Sequence, residues 1–501
     1  MSKNKKKRYF EYGFIFLVLL SIIGICVIGR PLKSLDELWQ YSVGSNMAKG
    51  LLPYRDINMV VPPLSGIIGG AALRVFGEQL IVYRILGTLL CTTCMMLFYD
   101  ILQIMEIEKR LAFCFCIYIS AFYCVHFTYD YNYWVLLMLL LIMDLLLRQE
   151  IKGKRQGRIR WFIIGTVAGC AVLAKQSTGL AVFVATSIMV WIFGPDRRKV
   201  LCYIAGCMMP VVLCFGWLLQ FHIWETFWNY AFDGINMFRQ YNRVSFWTFL
   251  FHSGLLCTVE AGLAIIIMVE GIRKLVQGRG MQAQKKWLVI FGLSVAGMTV
   301  VYPIADDTHF VIALLPFLIL GICELPLISA CQQKLSLRLV VMIAVMGMGV
   351  SLWSVRDENV VWSELAHYQG IRMDRSIEQM VQEVNSYLQQ YSGTSVYILD
   401  GAAMLYKIPM GRYDKDYDMC LAGNWGDKTS DEMAQALLQR GGIMLLAADG
   451  YGINWQVPEE FIEYIKYHAS CVDHIGKYDV YIAEEHLPGQ RPEIFRTSKR
   501  P

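Results

Sequence analysis

Two adjacent carboxylates, Asp36 and Glu37, follow the first hydrophobic segment of the chain within a few residues. They open a polar stretch that continues through Tyr54 and Arg55 to Asp56. A carboxylate can remove a proton from a hydroxyl as a general base, and a cation can stabilise a departing phosphate. A solvated acidic loop would contain the same pair, but the ordered run of polar neighbours favours a reactive site.

Further ionisable residues lie at the ends of apolar segments, and most of them are separated by long hydrophobic runs. They are Arg84, Asp130, Lys175, Asp306, Asp307 and His309. Ionisable groups near membrane depth are costly to hold there, so they are candidates for a functional site. If their helix ends share one side of a membrane, we expect them to converge on one outward-facing cavity.

Each of these residues also has a structural interpretation. Arg84 and Lys175 could extend towards lipid headgroups. Asp306 and Asp307 could form an exposed turn, and His309 could be a hydrogen-bonded packing residue at the mouth of a span. An interfacial aromatic belt is favoured over a binding platform for Tyr129, Tyr131, Tyr133 and Trp134.

Composition indicates a membrane protein, because 56% of the 501 residues are hydrophobic and only 17% are charged. A hydrocarbon core about 30 Å thick needs roughly 20 apolar residues per helix. Windows of that size predict about eleven spans, at 10–29, 80–104, 111–128, 132–148, 161–175, 179–194, 200–221, 247–270, 287–303, 310–328 and 338–354. The predicted fold class is therefore an all-α polytopic membrane protein.

The distribution of Lys and Arg predicts the orientation of these spans. With the N-terminus inside, the cytoplasmic segments are 1–9, 105–110, 148–160, 195–199, 271–286 and 331–338. They hold 23 Lys and Arg, against nine in the outer segments. Since cytoplasmic loops carry the excess of Lys and Arg, the asymmetry predicts that the acidic pair and the C-terminus lie outside.

The C-terminal region differs in character, with 14 Lys and Arg against 22 Asp and Glu over residues 355–501. Short apolar runs predict strands at 395–399, 443–447 and 478–482, and helical patterns lie between them at 375–390, 430–440 and 458–468. This alternation predicts a small extracytoplasmic α/β domain at 355–501. Residues 1–354 form the predicted membrane domain, whose first outer loop, 30–79, carries the acidic pair.

The absence of a nucleotide-phosphate motif restricts the chemistry. Neither a P-loop nor a G-x-G-x-x-G after a strand occurs in the sequence, and nucleotide-activated substrates are not available outside a cell. A transferase there could use a sugar on a polyprenyl phosphate, with an apolar groove between helices for the lipid tail. It would need a base and cations of the types that the first loop, Arg84 and Lys175 supply.

The sequence resembles the GT-C membrane glycosyltransferases, and most closely their family 39-like group. That group holds the protein O-mannosyltransferases and the bacterial lipid A aminoarabinose transferase. The resemblance covers roughly residues 10–320. Its motifs are Asp36-Glu37, Met47-Ala48-Lys49-Gly50, Pro53-Tyr54-Arg55-Asp56, Pro62-Pro63-Leu64, Phe76-Gly77, Arg84, Gly169 to Lys175, and Tyr302-Pro303 to His309 followed by Pro316.

The resemblance implies that Asp36 is the catalytic carboxylate and that Glu37 supports it or helps to hold a divalent metal ion. In the aminoarabinose branch an Arg follows the acidic pair and a Lys precedes the two prolines. This chain has Trp39 and Val61 at those places. The donor phosphate would therefore need other cations, which are Arg55, Arg84 and Lys175. The other cavity candidates are Tyr54, Asp56, Asp130, Asp306, Asp307 and His309.

The resulting hypothesis is a glycosyltransferase that moves a sugar from a polyprenyl-phosphate donor to an acceptor glycan, lipid or protein at the outer face of a bacterial plasma membrane. Membrane lipid is an expected partner and nucleic acid is not. A surface-polysaccharide polymerase or ligase remains an alternative, and so does a transporter or lipid flippase. A transporter is expected to place charges near the bilayer midplane, often within inverted repeats.

Overall fold

The computed structural model describes residues 3–32, 35–152, 157–193, 196–241, 244–252, 255–276, 281–324, 337–354, 356, 359–391, 393–447 and 457–483. Parts of the predicted cytoplasmic segments and the end of the predicted span 310–328 lie outside these ranges. Contacts divide the chain into two compact units. Unit 1 comprises Met1–Pro31, Val61–His222 and Val244–Glu358, and unit 2 comprises Leu32–Val60, Ile223–Arg243 and Asn359–Pro501.

Helices dominate the first 354 residues. They are α1 (Lys3–Gly29), α2 (Leu35–Ala48), α3 (Leu64–Phe76), α4 (Leu80–Ile104), α5 (Lys109–Phe122), α6 (Tyr131–Lys152), α7 (Arg158–Ala174), α8 (Gln176–Phe193), α9 (Arg197–Gln220), α10 (Trp224–Trp228), α11 (Gly234–Tyr241), α12 (Phe246–His252), α13 (Leu255–Val276), α14 (Met281–Gly297), α15 (Asp307–Glu324) and α16 (Leu337–Ser354). Of these, α2, α10 and α11 belong to unit 2.

Every predicted span window holds helix in the described part of the chain. Within the described ranges, five helices are long and apolar enough to cross a membrane, at Lys6–Gly29, Leu80–Ile104, Tyr131–Arg148, Gln176–Phe193 and Arg197–Gln220. The predicted span 247–270 holds α12 and the first part of α13, and its residues 253 and 254 lie outside the described ranges. Two helices of the first outer loop, α2 and α3, fall below the length of a span window and were not predicted.

Close packing of α7 against α9 depends on small residues. A Cβ at Gly165 would lie 2.1 Å from the carbonyl oxygen of Tyr203, and one at Gly206 would lie 2.1 Å from the carbonyl oxygen of Phe162. Membrane helices associate through such small residues because their backbones can then approach closely. Gly165 of α7 and Gly206 of α9 therefore form a helix-packing contact in unit 1.

The described residues of unit 2 form two sheets and four more helices. The strands are β1 (Val360–Trp362), β2 (Arg372–Asp374), β3 (Val396–Leu399), β4 (Ile443–Ala447), β5 (Ala469–Ile475) and β6 (Tyr478–Ala483). The helices are α17 (Arg375–Gln389), α18 (Ala403–Lys407), α19 (Ser430–Arg440) and α20 (Glu459–His468). The larger sheet has the order β3-β4-β6-β5, in which β3 and β4 are parallel and the other pairs are antiparallel.

Both faces of the larger sheet are covered. Alternate residues of a strand point to opposite faces, and Tyr397 and Leu399 pack in the cluster that includes α19 and α20. Val396 and Ile398 pack in the other cluster, which includes α17. This arrangement explains why β3 and β4 are continuous apolar runs. The predicted fold class, a helical membrane protein with a small C-terminal α/β domain, is confirmed.

The two compact units do not divide the chain at residue 354, where the sequence analysis placed the domain boundary. The segment Leu32–Val60 of the first outer loop groups with the C-terminal domain in unit 2. Asn58 Nδ2 donates to Asp416 Oδ1 at 3.2 Å, and Lys415 Nζ donates to the carbonyl oxygen of Arg55 at 3.1 Å. These hydrogen bonds join residues more than 350 positions apart, which is why a pass along the sequence did not pair them.

Candidate functional sites

The acidic pair lies in the first turn of α2. Negative side chains are favourable there because the N-terminal end of a helix carries a partial positive charge. Asp36 is exposed, whereas Glu37 is only 4% exposed. The two neighbours therefore occupy different environments: Asp36 can meet a substrate from solvent, and Glu37 is enclosed by protein.

One tyrosine of unit 2, Tyr368, lies close enough to Glu37 to sense its charge. Burial raises the pKa of Tyr368, and the negative charge of Glu37 acts in the same direction. The Tyr368 hydroxyl donates to the carbonyl oxygen of Leu405 at 3.1 Å. Tyr41, one turn after Glu37, has its hydroxyl 3.0 Å from His367 Nδ1. Tyr368 is therefore a neutral phenol near the buried carboxylate.

The predicted Tyr54-Arg55-Asp56 group forms a tight turn. Tyr54 has a positive φ of 69° and is buried, with its ring edge-on to that of Phe227 at 5.0 Å. Arg55 binds Asp56 through two hydrogen bonds of 3.0 and 2.9 Å. This contact lowers the pKa of Asp56. Arg55 is exposed, but two of its donors already face a carboxylate.

Unit 1 brings several predicted residues into one buried network. Lys175 Nζ donates to Asn132 Oδ1 at 2.8 Å and lies 3.4 Å from the carbonyl oxygen of Val300. Asn132 Nδ2 is 3.5 Å from His309 Nε2, and His309 Nδ1 is 2.8 Å from Asp306 Oδ2. Because the ammonium group faces the amide oxygen, the amide nitrogen faces His309, which leaves Nδ1 to donate to Asp306.

The carboxylates of this network also cap helices. Asp130 Oδ1 accepts the backbone N–H of Asn132 at the start of α6 at 2.6 Å. Asp306 Oδ1 accepts the backbone N–H of His309 at the start of α15 at 2.8 Å. Such side-chain caps satisfy N–H groups that the first turn leaves unpaired. These two residues therefore have a structural role that the sequence analysis did not assign.

The two capping carboxylates have opposite pKa shifts. Burial raises the pKa of Asp130, against the opposing hydrogen bond from Asn132 and the charges of His309 and Lys175. Burial would also raise the pKa of Asp306, but its contacts with His309 outweigh that effect and lower it. The ionised form is therefore more strongly stabilised in Asp306 than in Asp130. The predicted cavity residue Asp307, next to Asp306, is exposed in the first turn of α15.

Arg84, a predicted phosphate-binding cation, is fully buried near the end of α1. Its Nη1 donates to the carbonyl oxygen of Ile28 at 3.0 Å and to that of Arg30 at 2.5 Å. Carbonyls at the C-terminal end of a helix lack partners within the helix, and a cation there is favourable. Arg30 in turn donates to the carbonyl oxygens of Val125 and Phe127. Both arginines thus fix the end of α1.

The predicted residues fall into two sets. Asp130, Lys175, Asp306 and His309 interact within unit 1, where Arg84 and Asp307 also lie. Asp36, Glu37, Tyr54, Arg55 and Asp56 belong to unit 2. The sequence analysis missed Asn132, Asn58 and Asp416. The position of Asn132, a polar residue two places after Asp130 at the start of an apolar helix, was a usable signal.

The described residues do not fit a metal site made of three protein ligands. Within the ranges that the structure covers, no group of three His, Cys, Asp or Glu side chains could hold a metal ion. The possible metal-binding role of Glu37 therefore has no second and third ligand among these residues.

Comparison with known proteins identifies the fold. The chain matches the crystal structure of ArnT from Cupriavidus metallidurans in the apo state with a TM-score of 0.59 and 11% identity, over 98% of this chain and 100% of that chain. It matches the same protein bound to undecaprenyl phosphate with a TM-score of 0.55 and 10% identity, over 95% and 99% of the two chains.

No protein-family model and no curated protein sequence matches the chain. The structural likeness extends over nearly all of both chains, so it includes unit 1 and unit 2 alike. The GT-C-like fold predicted from the first-loop motifs is therefore confirmed, and this chain is a multi-pass membrane protein with the fold of ArnT.

Proposed function

We propose that this protein is a glycosyltransferase that transfers a sugar from a polyprenyl-phosphate donor to an acceptor at the outer face of a bacterial plasma membrane. One observation carries the proposal: the chain has the fold of ArnT along 95% of its length, and ArnT was crystallised with undecaprenyl phosphate. The acidic pair at the start of α2 supplies a carboxylate of the type that such a transfer needs.

In the proposed mechanism Asp36 is the general base. It is exposed, so an acceptor hydroxyl can reach it. Asp36 takes the proton of that hydroxyl while the oxygen attacks the anomeric carbon of the sugar. The bond from the anomeric carbon to the phosphate oxygen breaks, and polyprenyl phosphate leaves as an anion. Glu37, buried beside Asp36 in the same helical turn, positions it.

The leaving phosphate needs positive charge, because developing anionic charge in a water-poor site is expensive. Lys175 is the best supported of the three proposed cations. An ammonium group has three donors, and within the described residues two of them go to Asn132 and Val300. Arg55 and Arg84 remain proposed phosphate ligands, although both already donate to protein oxygens.

Incubation of the purified protein with a panel of polyprenyl-phosphate sugars tests the function. We expect at least one donor to be hydrolysed or transferred, with release of polyprenyl phosphate. A mock preparation from cells that lack the protein controls for contaminating hydrolases. If no donor is consumed above that control, the proposed function is wrong, and transport of a lipid-linked sugar would be measured next in proteoliposomes.

A further inference from the structure

A polar pocket of about 330 Å³ lies in unit 2 beside β3, which is at one edge of the larger sheet. One wall is the segment Gly393–Tyr397, and the other consists of Lys407 and the segment Arg412–Asp414. The volume falls within the range of small-molecule sites in proteins. It accommodates a sugar ring together with a charged substituent.

Two of the three charged side chains at this pocket already interact with other groups of the protein. Lys407 Nζ is bonded to Asp418, and both side chains are 4% exposed. Asp414 Oδ1 accepts two backbone N–H groups of its own turn at 2.9 and 3.1 Å, and its Oδ2 lies 3.7 Å from Arg440 Nη1. The remaining charge of the pocket is therefore that of Arg412.

The guanidinium group of Arg412 lacks an acceptor within the described residues. Its Nη1 is buried without a hydrogen-bond partner there. Arginine stays charged in proteins and offers five N–H donors, and leaving a buried donor unpaired is unfavourable. A carboxylate or phosphate would supply the missing acceptor, because its oxygens match the two parallel donors of a guanidinium.

Neutral groups around Arg412 suit a sugar. Thr394 and Ser395 are exposed on the rim, so their hydroxyls can exchange hydrogen bonds with sugar hydroxyls. Tyr397 and Tyr413 provide aromatic surface in the same lining. A site for inorganic phosphate alone would need neither the volume nor this mixture of hydroxyls and rings.

Arg412 also borders a second, narrower polar cleft of unit 2. Ser42, Ser45 and Asn46 of α2 line that cleft together with Lys49, which directly follows α2. The same helix begins with Asp36 and Glu37. Arg412 thus borders both the pocket and a cleft lined by the later part of the helix that carries the proposed catalytic base.

From these observations we propose that the pocket binds an anionic saccharide, one that carries a phosphate or a carboxylate. This saccharide is the acceptor of the transfer, and that part of the inference rests on the proposed function. Arg412 contacts the anionic group, and Thr394 and Ser395 contact the sugar hydroxyls.

Equilibrium binding to the full chain in detergent tests the pocket, with glucose 6-phosphate, glucuronate, glucose, inorganic phosphate and a short-chain phosphatidic acid as probes. We expect one of the two anionic sugars to bind at least tenfold more tightly than glucose and than inorganic phosphate. Arg412→Gln should remove that tenfold preference. Lys428→Gln changes an exposed cation of the same unit and should retain it.

A second pair of variants does not depend on the buried guanidinium. Thr394 is exposed, so Thr394→Glu and Thr394→Gln should both fold. Only Thr394→Glu places an anion at the rim and should weaken binding of the anionic sugars. If Arg412→Gln and Thr394→Glu both bind them as the unchanged protein does, the pocket assignment is wrong.

Phosphatidic acid that matches the anionic sugars would instead identify a lipid headgroup site and overturn the saccharide assignment. Saccharide binding is measured without donor, so it is independent of donor hydrolysis. Absence of donor hydrolysis would contradict the proposed function and leave the binding result for the pocket unchanged.

Discussion

Asp36→Asn is the sharpest change at the scale of single residues. The substitution keeps the size and exposure of the side chain but removes the base, so transfer should fall roughly 10²–10⁴-fold. A negative charge in the first turn of a helix, where it is exposed, usually stabilises the helix by about 0.3–1 kcal/mol. The melting temperature should therefore change little. Initial rates with a saturating donor and thermal melting of the same preparation measure both quantities.

Asp431→Asn is a matched control for this prediction. Asp431 is also an exposed carboxylate in the first turn of a helix, here α19. It should cost a similar small amount of stability and no activity. If Asp36→Asn retained most of its activity, the base would have to be another group, and the assignment of Asp36 would be abandoned.

Lys175→Met tests how the donor phosphate is held. A hydrogen bond to a charged group contributes about 1.5–3 kcal/mol, so donor affinity should fall about ten- to hundredfold. Arg84→Met is a useful comparison, because Arg84 fixes the end of α1 and its loss should mainly lower the melting temperature. Unchanged affinity for a polyprenyl-phosphate analogue in both variants would leave the phosphate to Arg55 or another cation.

Residue types were predictable from the sequence, but their partners were not. Apolar surroundings singled out Asp130, Lys175, Asp306 and His309 as unusual, and the structure joins them in one network. The sequence did not reveal that Asp130 and Asp306 cap helices, because capping depends on where the helix starts to within one residue. It also did not reveal Asn132, whose amide links the lysine to the histidine.

At the scale of elements, Gly206→Ala tests the packing of α7 against α9. The added Cβ would lie 2.1 Å from the carbonyl oxygen of Phe162 and 2.9 Å from the backbone nitrogen of Thr166. Backbone atoms cannot move aside as a side chain can, so the helices must separate. Overpacking costs about 1–3 kcal/mol, and the melting temperature in detergent should fall.

Gly216→Ala is the control on the same helix. No described atom lies within 4 Å of an added Cβ at Gly216, and alanine favours helix more than glycine does. This variant should melt at the same temperature as the unchanged protein or slightly higher. Equal melting temperatures for Gly206→Ala and Gly216→Ala would show that the close helix contact contributes no stability.

Hydrophobic periodicity predicted the elements that are long or strongly apolar. The windows at 80–104 and 132–148 correspond to α4 and α6, and the three predicted strands correspond to β3, β4 and β6. Short or polar elements were missed. β5 contains Asp473 and His474 and pairs only at the edge of its sheet, so its residues need no apolar pattern. The helices α2 and α3 were also missed, because they are shorter than the window of roughly 20 residues that was used to predict membrane spans.

At the scale of the whole molecule, the fold is retained where the sequence is not. Identity to ArnT is 10–11%, yet the match covers nearly all of both chains. A membrane helix needs only apolar residues of suitable length, so many sequences satisfy it. The grouping of Leu32–Val60 with the C-terminal domain depends instead on particular contacts, such as that of Asn58 with Asp416, which no local pattern encodes.

Topology is the remaining prediction at this scale, and single cysteines can test it. The excess of Lys and Arg in alternate loops predicts that residues 355–501 lie outside the plasma membrane. A cysteine in place of the exposed Lys428 would be accessible to a labelling reagent, whereas one in place of the nearby buried Asn424 would not. Cys471 is an exposed thiol of the same unit and must first be replaced by serine.

In that background, a membrane-impermeant maleimide should label Lys428→Cys while the plasma membrane is intact. Arg198→Cys lies exposed in the predicted cytoplasmic segment 195–199 and should be labelled only after permeabilisation. The reverse pattern would invert the topology. The C-terminal domain would then face the cytoplasm together with Asp36 in the same compact unit, where nucleotide-activated sugars are available and the argument for a lipid-linked donor no longer holds.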